Sequence, residues 1–421
     1  MKILFLESYF KPEKTSGAHF AEDLRRALAQ VGHTMELYAP TPTRGVSDET
    51  RQEYKNHKKR ETELDGSLRI HRFSLYREGR NSLGRAIRYG ILELKLLWFG
   101  LWARGIDLIP IGSTPPINGL LTTFIKKVRK IPFVYTVQDL FPESLVSTGM
   151  TSKGSILWKI GNWVSGVTYR NAAHIIVISE GMKKTLVEKG VPEDKITVIY
   201  NWIDTETTRP IPRQENPLFE EFQLSRDFFY VTYAGNLGNS QNVSLLVDCA
   251  EKLADRQDVR FVIFGDGSER EMLAARIAKS ALTNIQLLPM QPVEKVSQVY
   301  SLGDVSFVIC KKGVGLGAFP SKAASIMATG TPVIASFDED SDLCRVLQKG
   351  QAGVCVPPED AQAAMEAILQ LYTDRKTCAQ MGENARKLAC TKFFRETGVS
   401  AKIAVFEKFS KRAMTDIKKA R

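Results

Sequence analysis

The segment Phe307 to Phe337, FVICKKGVGLGAFPSKAASIMATGTPVIASF, holds residues whose types and order suit the neutralisation of a phosphate. Phe307 to Cys310 is an apolar run fit for a buried parallel strand. Gly313, Gly315 and Gly317 follow as a loop whose backbone can approach a ligand closely. Pro320 and Ser321 then open a helix that Gly330 closes, with Ser321 as the expected N-cap. Free N–H groups and the positive dipole end of such a helix favour an anion, and Lys322 adds a mobile full charge. An ordinary connection with a capped helix and a solvated lysine would carry the same residues.

Three other segments offer chemistry at strand ends. After the predicted strand Tyr230 to Ala234 comes Gly235-Asn236-Leu237-Gly238-Asn239-Ser240-Gln241, a loop of glycines and neutral hydrogen-bonders. After Arg260 to Phe264 comes Gly265-Asp266-Gly267, which could admit a ligand backbone or simply turn the chain. After Phe133 to Val137 comes Gln138-Asp139-Leu140-Phe141-Pro142-Glu143, where two carboxylates could orient hydroxyls or take a proton. Glu143 could equally neutralise the first turn of a helix. Near the start, Lys14-Thr15-Ser16-Gly17 could present N–H groups to phosphate or serve as a plain N-cap turn.

The elements that must position these groups alternate strand and helix in two series. Strands are expected at Lys2–Leu6, Thr34–Ala39, Leu68–Phe73, Leu108–Ile111, Phe133–Val137, Ile175–Ser179 and Ile196–Ile199. A second series follows at Tyr230–Ala234, Arg260–Gly265, Ile285–Leu288, Val305–Cys310, Pro332–Ser336 and Gly353–Val356. This βαβ rhythm belongs to parallel sheets. Residues 205–227 contain three prolines and no clear period, and are expected to link a domain at 1–204 to one at 228–400. A Lys- and Arg-rich helix at 401–421 exceeds what the second domain needs and is expected to return to the first. Ligands of two such domains bind in a cleft facing the carboxyl ends of the strands.

Composition bounds the class. With 421 residues, 43% hydrophobic and 25% charged, the chain reads as soluble, globular and at least two-domain. The start, MKILFLESYF, enters an apolar strand without a signal pattern, so export is not expected. Six cysteines without a CxxC pair read as reduced thiols of a cytosolic protein. Net charge is +11, and residues 1–200 hold 30 Lys and Arg against 20 Asp and Glu, so the first half carries nearly all of it. Near those bases lies Ile91 to Trp102, ILELKLLWFGLW, too short to span a bilayer. It is either a core helix or a segment lying in the interface beside anionic headgroups. No nucleic-acid motif accompanies the bases.

Together these pieces resemble glycosyltransferase family 4, of the two-domain GT-B fold, over nearly the whole chain. The resemblance rests on the Gly17 loop and its helix, ISEGM at Ile178 to Met182, VIYNWID at Val198 to Asp204, YAGNLG at Tyr233 to Gly238, FGDGSER at Phe264 to Arg270, and PSKAASIMATGTPVIA at Pro320 to Ala335. QDLFPESLVSTGM at Gln138 to Met150 is similar to bacterial N-acetyl-L-fucosamine transferases of O-antigen, capsule and exopolysaccharide synthesis. The resemblance implies α/β architecture with two Rossmann-like domains facing a central cleft. It also implies retaining transfer of a sugar, expected to be UDP-linked and N-acetylated, to a lipid-linked saccharide.

The family's pattern has gaps here. Its two glutamates eight positions apart would fall at Gly317 and Ser325, and its diphosphate-gripping Arg and Lys at Asn236 and Gln241. The diphosphate is therefore assigned to Lys322, to the helix start at Pro320 and Ser321, and to the Gly235 to Gly238 backbone, with Lys311 and Lys312 as weaker candidates. Ser325 is expected near the ribose, and the base near Met290 and Gln291. Asp139 is expected to orient the sugar or acceptor, with Gln138 and Glu143 beside it. No metal or cofactor is expected, since no DxD-type acidic site follows a suitable strand. The protein is expected at the cytoplasmic face of the membrane, held by its basic first domain. A nucleotide-sugar epimerase and a non-catalytic glycosyltransferase partner are the alternatives; a nicotinamide dehydrogenase would need a GxGxxG after the first strand.

Overall fold

The computed structural model describes residues 1–13, 17–43, 45–56, 59–77, 82–147, 150–315, 319–411 and 413. The chain divides into two compact units: Met1–Ile178 with Met182–Ile199 and Gly398–Arg421, and Ser179–Gly181 with Tyr200–Thr397.

In unit 1 the strands are β1 (Lys2–Leu6), β2 (Thr34–Pro40), β3 (Arg60–Glu63), β4 (Leu68–Phe73), β5 (Ile109–Gly112), β6 (Phe133–Val137), β7 (His174–Val177) and β8 (Ile196–Val198). Among the described residues they form two runs, β1-β2-β4-β3 and β5-β6-β7-β8. A parallel bridge between Ile3 and Leu108 joins β1 to the start of β5. All pairs are parallel except β3 with β4. β3, Arg-Glu-Thr-Glu, is absent from the sequence-based expectation because it carries no apolar residue. It is a charged edge strand, stabilised through Glu61, whose carboxylate lies 2.5 Å from Arg72 Nε on β4.

Unit 2 contains β9 (Phe229–Asn236), β10 (Val259–Asp266), β11 (Ile285–Leu288), β12 (Val305–Ile309), β13 (Val333–Ser336) and β14 (Gly353–Val356). Among the described residues they make one parallel sheet in the order β11-β10-β9-β12-β13-β14. The two-residue pleat sends alternate side chains to two separate cores. Phe229, Val231, Tyr233, Phe261, Ile263 and Phe307 join one, and Tyr230, Val262, Phe264 and Val308 the other. Both faces are buried, which is why these strands read as continuous apolar runs.

Residues 205–227, expected as a linker, fold as part of unit 2. Their prolines shape short turns rather than a free tether: Leu218 and Phe219 are buried, Arg213 pairs with Asp304 at 2.6 Å, and Asn216 Nδ2 donates to the Gln298 carbonyl at 2.8 Å. The helix Arg395–Lys408 passes from unit 2 into unit 1 at Gly398. There His33 Nε2 lies 2.9 Å from Glu407 Oε1, and Phe409 stacks on His174.

Candidate functional site

In unit 2 the direction of strand order reverses between β9 and β12. Registered pairing between them ends at Ser306 with Thr232, short of the carboxyl ends of both strands. An open parallel sheet leaves its ligand crevice at such a switch point. The segments after β9 and β12 are the ones whose residue types suit phosphate, so topology and sequence chemistry meet there.

Lys322 lies on the first turn of the helix Ser321–Ala328. Its Nζ donates to the Tyr233 hydroxyl at 3.0 Å and sits 4.2 Å from the centre of that ring. The hydroxyl in turn donates to the Asn236 carbonyl at 2.8 Å. Among the described residues no carboxylate lies within ion-pair distance of Lys322. Burial pushes its pKa down from 10.5 to about 8 and pushes that of Tyr233 up. The result is a half-buried cation held by an aromatic face and a neutral oxygen, a site that a bound anion would complete.

Gly235, at φ +146°, closes against this lysine. A Cβ there would stand 2.7 Å from Lys322 Nζ, so the absence of a side chain keeps the ammonium in place. On its other side Gly235 lines a cavity of about 150 Å³ with Ala234, Phe264, Met290, Gln291 and Tyr300. The walls are largely apolar and the Tyr300 hydroxyl is 3.5 Å from the Ala234 carbonyl. A half-open cavity of this volume and composition suits a planar ring, and Gly235 borders both it and the cation.

The remaining predicted groups of unit 2 fall in three arrangements. Asn236 Nδ2 donates to Gln241 Oε1 at 3.1 Å, bracing the loop over Gly238, whose missing side chain makes room for both amides. Lys311 donates from its backbone to the Ser240 carbonyl at 3.0 Å and from Nζ to Asn239, whereas Lys312 is exposed. Gly265 is buried, and the space a Cβ would take is filled by the Gly235 carbonyl 2.5 Å away and by Leu237, so it supports the loop from beneath.

Two expectations for this region change. The helix begins with Pro320 as N-cap, in extended conformation and without a side-chain cap, so Ser321 is the first helical residue and is exposed. Proline's fixed φ suits that boundary, and the first-turn N–H groups are not taken by a Ser hydroxyl. The glycine loop is also not an open anion cradle. The N–H of Gly313 donates to both Asp338 oxygens at 2.9 and 3.0 Å, and that of Gly315 to Asp338 Oδ2 at 3.2 Å. Gly317 lies outside the described residues. Ser325 is half-buried one turn beyond Lys322.

The other candidates are carried by unit 1. Asp139 follows β6, and burial raises its carboxyl above the usual range. Ser113 Oγ accepts from the Gln138 N–H at 3.1 Å, fixing the chain just before it. Glu143 is the first residue of the helix Glu143–Ser147 and pairs with Lys189 at 2.6 Å, so one of its oxygens already has a charge partner. Gly17 precedes the helix Ala18–Gln30 and lines a pocket of about 200 Å³ that includes Glu7, Lys11, Glu22, Arg25 and Arg26. Ser16 lies outside the described residues. Among the described residues no group of three or more His, Cys, Asp or Glu gathers as a metal cluster.

Comparison with known proteins gives the family. Residues 17–207 match Glycosyltransferase Family 4, and residues 215–388 match Glycosyl transferases group 1. The chain belongs to the family 4 glycosyltransferases. It is 26% identical over 271 residues to a probable glycosyltransferase, WbjE, of Pseudomonas aeruginosa, covering 63% of this chain and 66% of that one. It is 23% identical over 382 residues to a putative colanic acid biosynthesis glycosyl transferase, WcaI, of Escherichia coli, covering 88% and 92%. Among solved structures, HepE of Anabaena in complex with UDP superposes with a TM-score of 0.72 at 17% identity, covering 97% of this chain and all of that one. Sucrose-phosphate synthase of Thermosynechococcus elongatus gives the same score and identity. These neighbours establish the GT-B fold.

Asn236 and Gln241 pair with each other at the two positions where the resemblance led to the expectation of an Arg and a Lys. Sequence reasoning missed Tyr233, which holds the lysine, and Asp338, which occupies the glycine loop. Tyr233 sits inside the YAGNLG motif but reads as a core aromatic, and Asp338 lies 23 residues beyond Gly315. The adjacency of Lys322 to Gly235 spans two different βα crossovers, which only the sheet order reveals.

Proposed function

We propose that this glycosyltransferase transfers a sugar from a nucleotide diphosphate donor to a lipid-linked saccharide in cell-surface polysaccharide synthesis. The observation that carries this reading is the half-buried Lys322 ammonium, without a carboxylate partner among the described residues, beside Gly235, which also borders a cavity that suits a planar ring. The nucleobase enters the cavity beside Met290 and Gln291. The diphosphate meets Lys322, the uncapped helix start at Pro320 and Ser321, and the Gly235 to Gly238 backbone, while Ser325 meets the ribose. The UDP complex of HepE and the colanic acid role named for WcaI support a UDP-linked donor and a polysaccharide product.

Chemically, the acceptor hydroxyl oxygen bonds to the anomeric carbon as the bond from that carbon to the diphosphate oxygen breaks. The new linkage forms on the face the diphosphate leaves, so configuration is retained. The hydroxyl proton passes to the departing phosphate oxygen, and Lys322 stabilises the negative charge that develops there. Asp139 orients the sugar or the acceptor, with Gln138 at its side. No resident metal enters this scheme, so chelator should leave turnover intact.

Calorimetry of the purified chain against UDP, GDP and their sugar conjugates tests the reading. Binding of one nucleoside diphosphate, followed by sugar transfer from its conjugate to a lipid-linked acceptor, is the expected outcome. Failure of every nucleotide to bind would overturn it, and sugar inversion or conversion without acceptor would replace the mechanism.

A further inference from the structure

Three helices of unit 1 carry apolar side chains on their solvent side. On the helix Ser82–Trp102, Leu94, Trp98 and Trp102 recur every four residues, and each is at least 60% exposed. The same helix buries Leu92 and Leu96, so its length is not explained by one core-facing stripe. The helix Asn118–Arg129 packs beside it and exposes Phe124 and Val128. Against that helix packs a third, Ile156–Asn171, which exposes Ile156, Ile160 and Trp163 while burying Gly161, Ser165 and Tyr169. Neighbouring helices thus place three tryptophans and several branched aliphatics in water, more than scattered surface residues require.

Charge on the same helices is one-sided. Their combined sequence contains a single acidic residue, Glu93, and it is buried. Exposed bases accompany the apolar stripes: Arg85, Lys127, Lys159 and Arg170, with Lys130 just after the second helix. A second copy of this chain seated on this face would bring bases against bases, which disfavours a symmetric dimer. Among the described residues no helix is long and apolar enough to cross a membrane. Tryptophan with branched aliphatics, rimmed by bases and free of exposed acid, is the composition of a surface that settles into the headgroup region of an anionic bilayer.

We propose that the joined outer faces of helices Ser82–Trp102, Asn118–Arg129 and Ile156–Asn171 dock on an anionic lipid surface. This extends the reading of a lipid-linked acceptor, and it selects the interfacial alternative for Ile91 to Trp102 on its outward side. Leu94, Trp98, Ile160 and Trp163 enter the interface while Lys127 and Lys159 meet lipid phosphates.

Flotation of the full chain with vesicles of phosphatidylcholine alone, and of phosphatidylcholine mixed with phosphatidylglycerol, tests it. The chain should float with the anionic vesicles and much less with the neutral ones. Trp98→Glu with Ile160→Glu, both at positions more than half exposed, should lower partitioning by at least about tenfold, and Lys127→Glu with Lys159→Glu should lower it and its salt sensitivity. Unchanged UDP binding and melting temperature in the same variants would show that the fold and the donor pocket are intact. Wild type that stays in the soluble fraction, variants that float as well as wild type, or a dimer that the same substitutions dissociate, would each overturn the proposal. Should flotation hold while no nucleotide binds, the docking face stands and the donor reading falls.

Discussion

The two units use one grammar of parallel strands and covering helices to opposite ends. Unit 2 buries apolar residues on both faces of its sheet and leaves Lys322 half-buried at the switch point without a carboxylate partner among the described residues. Unit 1 buries one large core and turns further apolar residues outward on Ser82–Trp102, Asn118–Arg129 and Ile156–Asn171. In the first case the unsatisfied group is a charge, and its complement is an anion. In the second it is apolar area, and its complement is a surface that removes that area from water. An unmet physical requirement thus points to a partner in both units, and the kind of requirement specifies the kind of partner.

Removing the charge should produce the largest change and should act with opposite sign on two measurements. Lys322→Met deletes an ammonium that a diphosphate would meet, so calorimetry should show UDP or GDP affinity falling by about 10–100-fold. The same substitution replaces a desolvated charge with an apolar chain of similar length, so the ligand-free protein should gain about 1–2 kcal/mol in denaturant unfolding. A lysine serving only the fold would instead lose stability on substitution and leave nucleotide affinity untouched. Asp139→Asn probes unit 1 in the same terms. It should lower turnover by about tenfold while nucleotide affinity stays at the wild-type value. Loss of affinity with unchanged turnover would remove Asp139 from the acceptor side.

How far the sequence alone carried this picture depends on the range of the signal. Strands of unit 2 were legible because both faces are buried and each reads as an apolar run; β3 was not, because Arg60 to Glu63 has no apolar residue and pairs only as an edge. The types at the candidate site were legible too: Lys322, Gly235 and the Met290–Gln291 turn all follow predicted strands. Their grouping was not, since Tyr233 and Lys322 are 89 residues apart and meet only through the β9–β12 reversal. Local rules also misplaced two details. Ser321 is a better N-cap type than proline, yet Pro320 takes that position, and the glycine loop that resembled an anion cradle donates to Asp338. In the loop, Asp338 satisfied the backbone before any ligand could, whereas at the helix start proline's fixed φ set the boundary and left the first turn without a side-chain cap.

Titration gives the smallest and most discriminating effect. Burial lowers the Lys322 pKa from 10.5 to about 8. The charged form therefore predominates in the free protein below that pH and is lost as pH rises through it. A bound diphosphate favours the ammonium, so binding should take up a proton in this range, and affinity should be full only below about pH 7, a unit under the pKa of the free protein. From about pH 7.5 to about 9.5 it should fall several-fold, by no more than about tenfold per unit, until the pKa of the complex is reached. Lys322→Met should bind weakly with a flat profile across the same window. Calorimetry in two buffers of different ionisation enthalpy reads the proton uptake directly. A wild-type profile as flat as that of the variant would mean that another group meets the diphosphate, and the contrast between a charge-lacking and a surface-lacking unit would lose its first half.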